Sequence, residues 1–170
     1  MTAATPPPTS PPAAALDPAA AKARRAAARD LLERARNAMI DADALARAGG
    51  SLAGTALRAC DATHLAARAL LAADGLDRSG PPETALLFAM RLVATERISR
   101  AAGEAAQRAL RARRECSEAD PVVLYEARVE SLRQGARLLL EEADIVLGRG
   151  LAAPAPGAKP GVEEDEEALP

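Results

Sequence analysis

Aromatic residues are nearly absent from this chain, and this shortage constrains the fold more than any other feature of the sequence. The 170 residues include one Phe, one Tyr and no Trp, so that aromatics make up 1% of the chain. Strands are enriched in β-branched and aromatic side chains, whereas this chain relies on Ala, Leu, Arg and Glu, which favour helices. The sequence therefore predicts an all-α protein, an antiparallel bundle of four to five helices.

Two Pro-rich segments flank the expected bundle. Residues 1–17 combine prolines with Ala, Thr and Ser, and residues 149–170 combine Pro and Gly with the acidic run Glu163–Glu167. Chains of this composition cannot bury a core. Both segments are predicted to be disordered tails around a helical domain at 18–148. An acidic run can mimic a phosphate backbone and shield a basic surface, although such runs are more often solvated tails.

Capping residues mark the first two helices. Asp17 followed by Pro18 is typical of a helix start, and Gly49 and Gly50 are expected to end that helix. Ser51 caps a second helix, which should end at Gly75 before a polar loop at 76–82. Apolar residues recur at three- and four-residue spacing along both helices. The expected inward positions are Leu31, Leu32, Ala35, Ala38, Met39, Ala42 and Leu45 in the first helix, and Leu52, Ala56, Ala59, Thr63, Ala66, Ala67 and Leu70 in the second.

The third helix is less sharply bounded. It should begin at Pro81 or Pro82, with four apolar side chains facing inward: Leu86, Leu87, Met90 and Val93. The sequence leaves open whether this helix continues to Cys116 or breaks between Thr95 and Gly103.

The last helix is predicted from Asp120 and Pro121, a second pairing of cap and proline. Its apolar residues alternate at three- and four-residue spacing, which indicates a seam against other helices along its length. Leu140 and Leu147 widen this apolar face, and we therefore expect a homodimer through it. The seam consists of Val122, Tyr125, Val129, Leu132, Ala136, Leu139, Ala143 and Val146.

Charge and cysteine content limit the classes of partner. The formal net charge is -2, unlike the strongly basic surface of a dedicated nucleic-acid binder. Cys60 and Cys116 are too few for a disulfide framework and are interpreted as reduced thiols. No secretory signal or apolar run of about 18 residues is present. The sequence predicts a cytoplasmic protein with no membrane partner.

His64 is the only histidine, which limits the possible chemistry. A His-rich metal site cannot form within one chain, and neither the Glu-x-x-His pairs of a di-metal bundle nor a phosphate-binding Lys-Ser/Thr loop occurs. We therefore expect no metal and no cofactor. Nucleophilic catalysis would have to use His64, with Cys60 one helical turn away.

Two interpretations fit the polar residues that border the second helix. Asp61, His64 and Arg68 follow one another at three- and four-residue spacing. They could form a site in which Asp61 orients the His64 ring and Arg68 binds phosphate. The alternative, which we favour, is a boundary histidine satisfied by Asp61 beside an ordinary intrahelical ion pair.

The most basic part of the chain allows a similar choice. It could contact phosphate groups, for example in RNA, or form the solvated side of a helix. The second interpretation is favoured because these arginines do not lie on a single helical face. They are Arg91, Arg97, Arg100, Arg108, Arg111, Arg113 and Arg114.

The stretch Arg-Ala-Cys-Asp-Ala-Thr-His-Leu-Ala-Ala-Arg-Ala-Leu-Leu at 58–71 resembles the second helix of the HEPN superfamily. That helix typically reads Arg-Ala-Tyr-Tyr-Ala, an aromatic and a histidine, then Ala-Ala-Arg-Ala-Leu-Leu. The order of a loop, a basic helix, Arg113-Arg114-Glu115 and a long final helix is also similar to small prokaryotic HEPN proteins. The resemblance covers about 20–148.

This resemblance implies a dimerising bundle with a role in RNA cleavage, nucleotide binding or toxin–antitoxin pairing with a small nucleotidyltransferase. The family's ribonuclease signature is an Arg followed, after four to six residues, by a His. Arg58 and His64 have that spacing and are the implied catalytic residues, yet an i,i+6 pair lies about 120° apart on one helix. We therefore expect the pair to need a helix break or a second subunit to act together.

Departures from the family pattern favour a member without nuclease activity. Cys60 and Asp61 replace the two tyrosines, His64 lies one place early, and no histidine follows Arg113 and Arg114. The favoured hypothesis is a non-catalytic module that binds a nucleotide, RNA or a partner protein, with Asp61, Arg68, Arg113 and Arg114 as binding residues. The alternatives are an active, metal-independent ribonuclease toxin and a purely structural bundle that recruits partners through its tails.

Overall fold

The computed structural model describes residues 17–117 and 124–151, and these form an all-α bundle. The tails at 1–16 and 152–170, with their predicted disorder, lie outside the described residues. Five helices follow in order: α1 Pro18–Arg47, α2 Leu52–Ala73, α3 Pro81–Phe88, α4 Arg100–Ser117 and α5 Glu126–Leu151. A π-helical turn, Ala89–Val93, continues α3. The described part contains no strand, and the predicted all-α class is confirmed.

The predicted starts of α1 and α2 are confirmed at the level of single hydrogen bonds. The Asp17 carboxylate accepts a bond from the Ala19 backbone N–H at 3.0 Å, and the Ser51 hydroxyl accepts one from Gly54 N–H at 2.9 Å. Gly49 and Gly75 follow the ends of these helices with φ of 64° and 76°. This left-handed conformation costs glycine little because it has no Cβ.

Helix α2 is the central element of the bundle, because it packs against α1, α3, α4 and α5. The sequence predicted a single buried face, but α2 is buried on most of its circumference. Leu52, expected to face inward, lies at the exposed edge. Small side chains let the helices approach closely. Helices α4 and α5 approach closely at Gly135, where a built Cβ would lie 2.8 Å from the Ala105 Cβ.

The predicted inward face of α3 is wrong at Leu86 and Met90, whereas Leu87 and Val93 are partly buried against the core as predicted. Leu86 and Met90 are 62% and 58% exposed, whereas Phe88 and Leu92 are fully buried. Thr84 is also buried, and its hydroxyl donates to the Arg78 and Gly80 carbonyl oxygens at 2.8 Å each. This bonding removes the cost of burying a polar group, and the wider π-helical turn then shifts the register of the residues that follow.

The open question about the third helix is answered by a break at residues 94–99. Glu96 adopts a left-handed φ of 57°, and the Leu92 carbonyl accepts bonds from the N–H groups of Arg97 and Ile98. The Ser99 hydroxyl then accepts a bond from Ala102 N–H at 3.1 Å, so that it caps α4. The basic segment therefore belongs to two differently oriented elements.

Helix α5 begins at Glu126, after a non-helical pair of residues. The predicted start at Asp120 and Pro121, and the seam residue Val122, lie outside the described residues. Tyr125 precedes the helix and is 60% exposed, so its predicted place in the seam is wrong. The other seam positions pack inward as predicted, with Val146 only partly buried.

The apolar residues that suggested a homodimer are used within the chain. Leu140 and Leu147 are buried in the hydrophobic core, where α5 packs on α1, α2 and α4. The face they form is therefore not available to a second copy. Helix α5 also continues to Leu151, past the predicted domain boundary.

Candidate functional site

A cavity of about 440 Å³ opens between α1, α2 and α4. Helices α1 and α2 run antiparallel, and long polar side chains stand along the groove between them. On α1 these residues follow i, i+3, i+7 spacing, which places them on one face. The lining residues are Arg34, Asn37, Ala38 and Asp41 from α1, Arg58, Asp61, His64 and Leu65 from α2, and Arg113 from α4.

Arg58 and His64 border this cavity together, within a single chain. Their six-residue separation therefore does not keep them from lining one cavity, and their joint action on a substrate stays a prediction. The helical geometry itself is as expected, but the Arg58 side chain is long and 52% exposed, so that it reaches the groove from the edge of α2. No helix break and no second subunit is needed to bring the two residues to one cavity.

Asp61 joins α2 to α4 at the floor of the cavity. Its Oδ1 accepts a hydrogen bond from Arg113 Nη1, and its Oδ2 lies 3.8 Å from Arg58 Nη1. The predicted role of Asp61 in orienting His64 is not what this geometry shows, because the carboxylate is bound to arginines. Asp61 instead fixes Arg113 at the cavity wall, and lies near Arg58.

His64 is half-buried and lines the cavity from α2. Burial is the main cause that lowers its pKa from 6.5, and the charges of Arg68 and Arg113 lower it further. A hydrogen bond with the Ser79 backbone and the charge of Asp61 act in the opposite direction. His64 is therefore a neutral imidazole at pH 7 and offers one donor and one acceptor nitrogen.

Arg68 is engaged elsewhere. It donates to Asp77 in a bidentate pair, from Nε to Oδ1 at 2.8 Å and from Nη2 to Oδ2 at 2.7 Å. The hydrogen bond from Arg68 lowers the pKa of Asp77, against the effect of burial. Arg68 therefore pairs with a residue of the following loop rather than with Asp61, and its phosphate-binding role stays a prediction. Arg68 ties the loop between α2 and α3 to the middle of the bundle.

The basic segment does not form one surface. Arg113 lines the cavity, but its neighbour Arg114 is exposed and does not. Arg97 donates to Asp74 on α2's C-terminal side, and Arg100 pairs with Glu104 on α4. Arg108 and Arg111 border a separate cleft. This distribution agrees with the favoured interpretation, in which most of these arginines are solvated.

The α1 side of the cavity was missed by sequence reasoning. Arg34, Asn37 and Asp41 form a polar stripe beside the apolar stripe of α1, and such a stripe is indistinguishable from an ordinary solvated face. Only the position of α2 and α4 shows that it borders a cavity.

The thiols do not offer a nucleophile. Cys60 and Cys116 are both free. Burial raises the pKa of the Cys60 thiol to about 12, and the nearby Cys116 adds to that shift. Burial likewise raises the pKa of Cys116. Because the thiolate is the reactive form, neither cysteine is activated at pH 7.

Residues 17–117 and 124–151 hold no group of three or more His, Cys, Asp or Glu side chains placed to bind a metal ion. None of its helices is both long and apolar enough to cross a membrane.

Comparison with known proteins gave no match, whether with family models, with curated proteins or with solved structures. The HEPN resemblance therefore stays a hypothesis that rests on the residues at 58–71 and the helix order.

Proposed function

We propose that this protein is a non-catalytic helical module that binds a phosphate-bearing ligand, a nucleotide or a stretch of RNA backbone, in the cavity between α1, α2 and α4. The observation that carries the proposal is the convergence of three arginines and the only histidine on one cavity. They are Arg34, Arg58, Arg113 and His64. Guanidinium groups match phosphate oxygens in geometry and charge.

The acidic partners of the cavity arginines, Asp61 and Asp30, are compatible with this role. Asp61 holds Arg113 in place through a hydrogen bond. Arg34 lies 3.8 Å from Asp30, and both side chains are mostly exposed. Exposed pairs of this kind are worth about 0 to 1 kcal/mol. Arg34 and Arg58 can therefore turn toward an incoming phosphate at little cost.

Titration calorimetry with ATP and with a short oligouridylate tests the proposal. Arg58→Ala removes a guanidinium from the cavity, and a lost charged hydrogen bond of about 1.5 kcal/mol weakens binding about tenfold. The matched control is Arg47→Ala, which removes an exposed arginine from the last turn of α1, outside the cavity. Absence of binding by the wild type, or equal losses in both variants, would contradict the proposal.

A metal-independent ribonuclease is the second candidate, and the shared cavity of Arg58 and His64 favours it. A neutral His64 would accept the proton of a ribose 2′-hydroxyl as its oxygen bonds to the adjacent phosphorus, with Arg58 stabilising the phosphate charge. The P–O5′ bond would break, and the leaving 5′-oxygen would take a proton from water. RNA cleavage by the wild type that is lost in His64→Gln would support this candidate. Co-purification of a small nucleotidyltransferase would then identify a toxin–antitoxin pair, in the cytoplasm as the sequence suggests.

A further inference from the structure

The first half of α1 is a basic surface without acidic residues. Residues 18–29 include Lys22, Arg24, Arg25 and Arg29, and the first acidic residue of the helix is Asp30. Positive charge near a helix N-terminus is unfavourable, because the helix dipole is positive there. Lys22, Arg25 and Arg29 are exposed and follow i, i+3, i+7 spacing, so they share one face. These three residues are called the α1 basic stripe.

The α1 basic stripe is not neutralised by the described part of the bundle. Within residues 17–117 and 124–151, Lys22, Arg25 and Arg29 form no ion pair. Arg25 and Arg29 border a cleft of about 190 Å³ whose one acidic lining residue, Asp74, is bound to Arg97. The three cations of the stripe can therefore bind an anion.

The α1 basic stripe lies near the C-terminal end of α5, so the segment that follows α5 is a possible source of an anion. Val146 and Leu147, in the last turns of α5, line the same cleft as Arg25 and Arg29. Beyond the end of α5 at Leu151, the sequence continues through residues 152–162 to the acidic run Glu163–Glu167. An intervening segment of this length spans at most about 40 Å when extended, whereas the stripe is only about 10 Å long.

Tethering strengthens the attraction between these opposite charges. A segment held on a short tether has an effective concentration of the order of millimolar at nearby surfaces. Two of the other exposed arginines, Arg108 and Arg111, are less well placed. Helices α4 and α5 run antiparallel, with Ser99 bound to Glu142 and Glu115 bound to Arg128, so Arg108 and Arg111 lie toward the opposite end of α5.

We propose that the acidic run Glu163–Glu167 binds the α1 basic stripe of the same chain and covers it against external polyanions. The stripe is separate from the cavity of Arg34, Arg58 and Arg113, so this inference does not rest on the proposed function. Five consecutive carboxylates complement the three cations of the stripe and the adjacent Arg24.

Amide NMR spectra of the full chain test the contact directly. The variant that combines Glu163→Gln, Glu164→Gln, Asp165→Asn, Glu166→Gln and Glu167→Gln removes the charges without touching the described fold. We expect amide shifts to change at residues 22–29 and at 146–147. The difference should vanish in about 1 M NaCl, where the Debye length is about 3 Å. Changes confined to residues 161–169, or centred on Arg108 and Arg111, would overturn the proposal.

Reciprocal substitution and a competing polyanion complete the test. The double variant Arg25→Gln, Arg29→Gln should shift the amides of residues 163–167, whereas the control Arg108→Gln, Arg111→Gln should not. Removing the acidic charges should also raise the affinity for a short oligouridylate at low salt by about tenfold, because phosphate contacts depend on exposed cations. Equal affinity of both forms, or equal shifts in both arginine variants, would contradict the proposal.

Discussion

Arginine and aspartate side chains meet on both sides of α1, but they are closely paired on one side and loosely paired on the other. Toward α5, Asp43 accepts bonds from Arg133 Nε at 3.0 Å and Nη2 at 2.6 Å, and from Arg137 Nη2 at 2.7 Å. Toward α2 and α4, Arg58 lies 3.8 Å from Asp61 and is 52% exposed, against 17% for Arg133. An arginine is available to a ligand when its carboxylate partner is distant. The distance between each arginine and its partner therefore indicates a binding site better than the number of arginines does.

The ion pairs toward α5 therefore hold α1 and α5 together, whereas the cavity side has an arginine that is not closely paired. Arg36 and Asp144 add a second cross-link between α1 and α5, and Arg133 also binds Glu130. At the cavity, Asp61 is hydrogen-bonded to Arg113, whereas Arg58 lies 3.8 Å from it and is 52% exposed.

The largest effect is expected from Gly135→Ala, which attacks the packing that holds α4 and its Arg113 in place. The new Cβ would lie 2.8 Å from the Ala105 Cβ, and neither atom is at the end of a flexible side chain. Overpacking of this kind destabilises by about 1 to 3 kcal/mol. Urea denaturation measures the loss of unfolding free energy.

Gly148→Ala is the matched control for that variant, because it lies in the same helix and a Cβ there meets nothing within 4 Å. Replacing an exposed helical glycine should stabilise the protein by about 0.5 to 1 kcal/mol. Similar effects of the two substitutions would contradict the close approach of α4 and α5.

Two Asp→Asn variants, with smaller expected effects on stability, compare the two sides of α1. Asp43→Asn leaves Arg133 and Arg137 with a weaker partner and should destabilise by about 1 to 2 kcal/mol, without changing ligand affinity. Asp61→Asn removes negative charge beside Arg58 and Arg113 and should increase the affinity for ATP severalfold, with less loss of stability. Denaturation and titration calorimetry on both variants give the two readouts.

The pH dependence of stability provides a control for Asp43. Burial raises its pKa, but hydrogen bonds and charges from Arg133 and Arg137 outweigh that effect and hold the pKa below 3.8. The stabilisation is therefore present above about pH 4. It is lost as pH falls through the folded-state pKa. The wild type and Asp43→Asn should thus differ near neutral pH and converge in acid; a constant difference would contradict the assignment.

The smallest effect concerns His64. Its lowered pKa means that protonation is disfavoured in the folded chain, so stability falls as pH decreases from 6.5 toward the folded-state pKa. Sulfate keeps its charge in this range, and its affinity should rise severalfold as His64 becomes cationic. His64→Gln should remove that rise, and a variant that retains it would place the anion elsewhere.

Local signals in the sequence predicted the elements better than their contacts. Asp17, Pro18 and Ser51 mark helix starts through bonds within a few residues, and the seam of α5 follows from spacing alone. The inward face of α3 was mispredicted at Leu86 and Met90 because Thr84 satisfies its hydroxyl on nearby carbonyls and because the π-helical turn alters the register.

The pairing of the site residues could not be predicted from the sequence, because their partners are distant along the chain. Arg68 pairs with Asp77 in the following loop, and Asp61 pairs with Arg113 on another helix. Spacing along α2 could group Asp61, His64 and Arg68, but it could not show which carboxylate each arginine would bind. The wall contributed by α1 likewise requires knowledge of how the helices pack.

An amide NMR titration with pyrophosphate tests most directly the claim that the α1–α2–α4 cavity is the anion-binding site. We expect saturable shifts at residues 34–41, at 58–65 and around Arg113, with residues 130–137 of the α5 cross-link unchanged. Shifts centred on the α1 basic stripe or on the exposed arginines of α4, with the cavity unaffected, would contradict it.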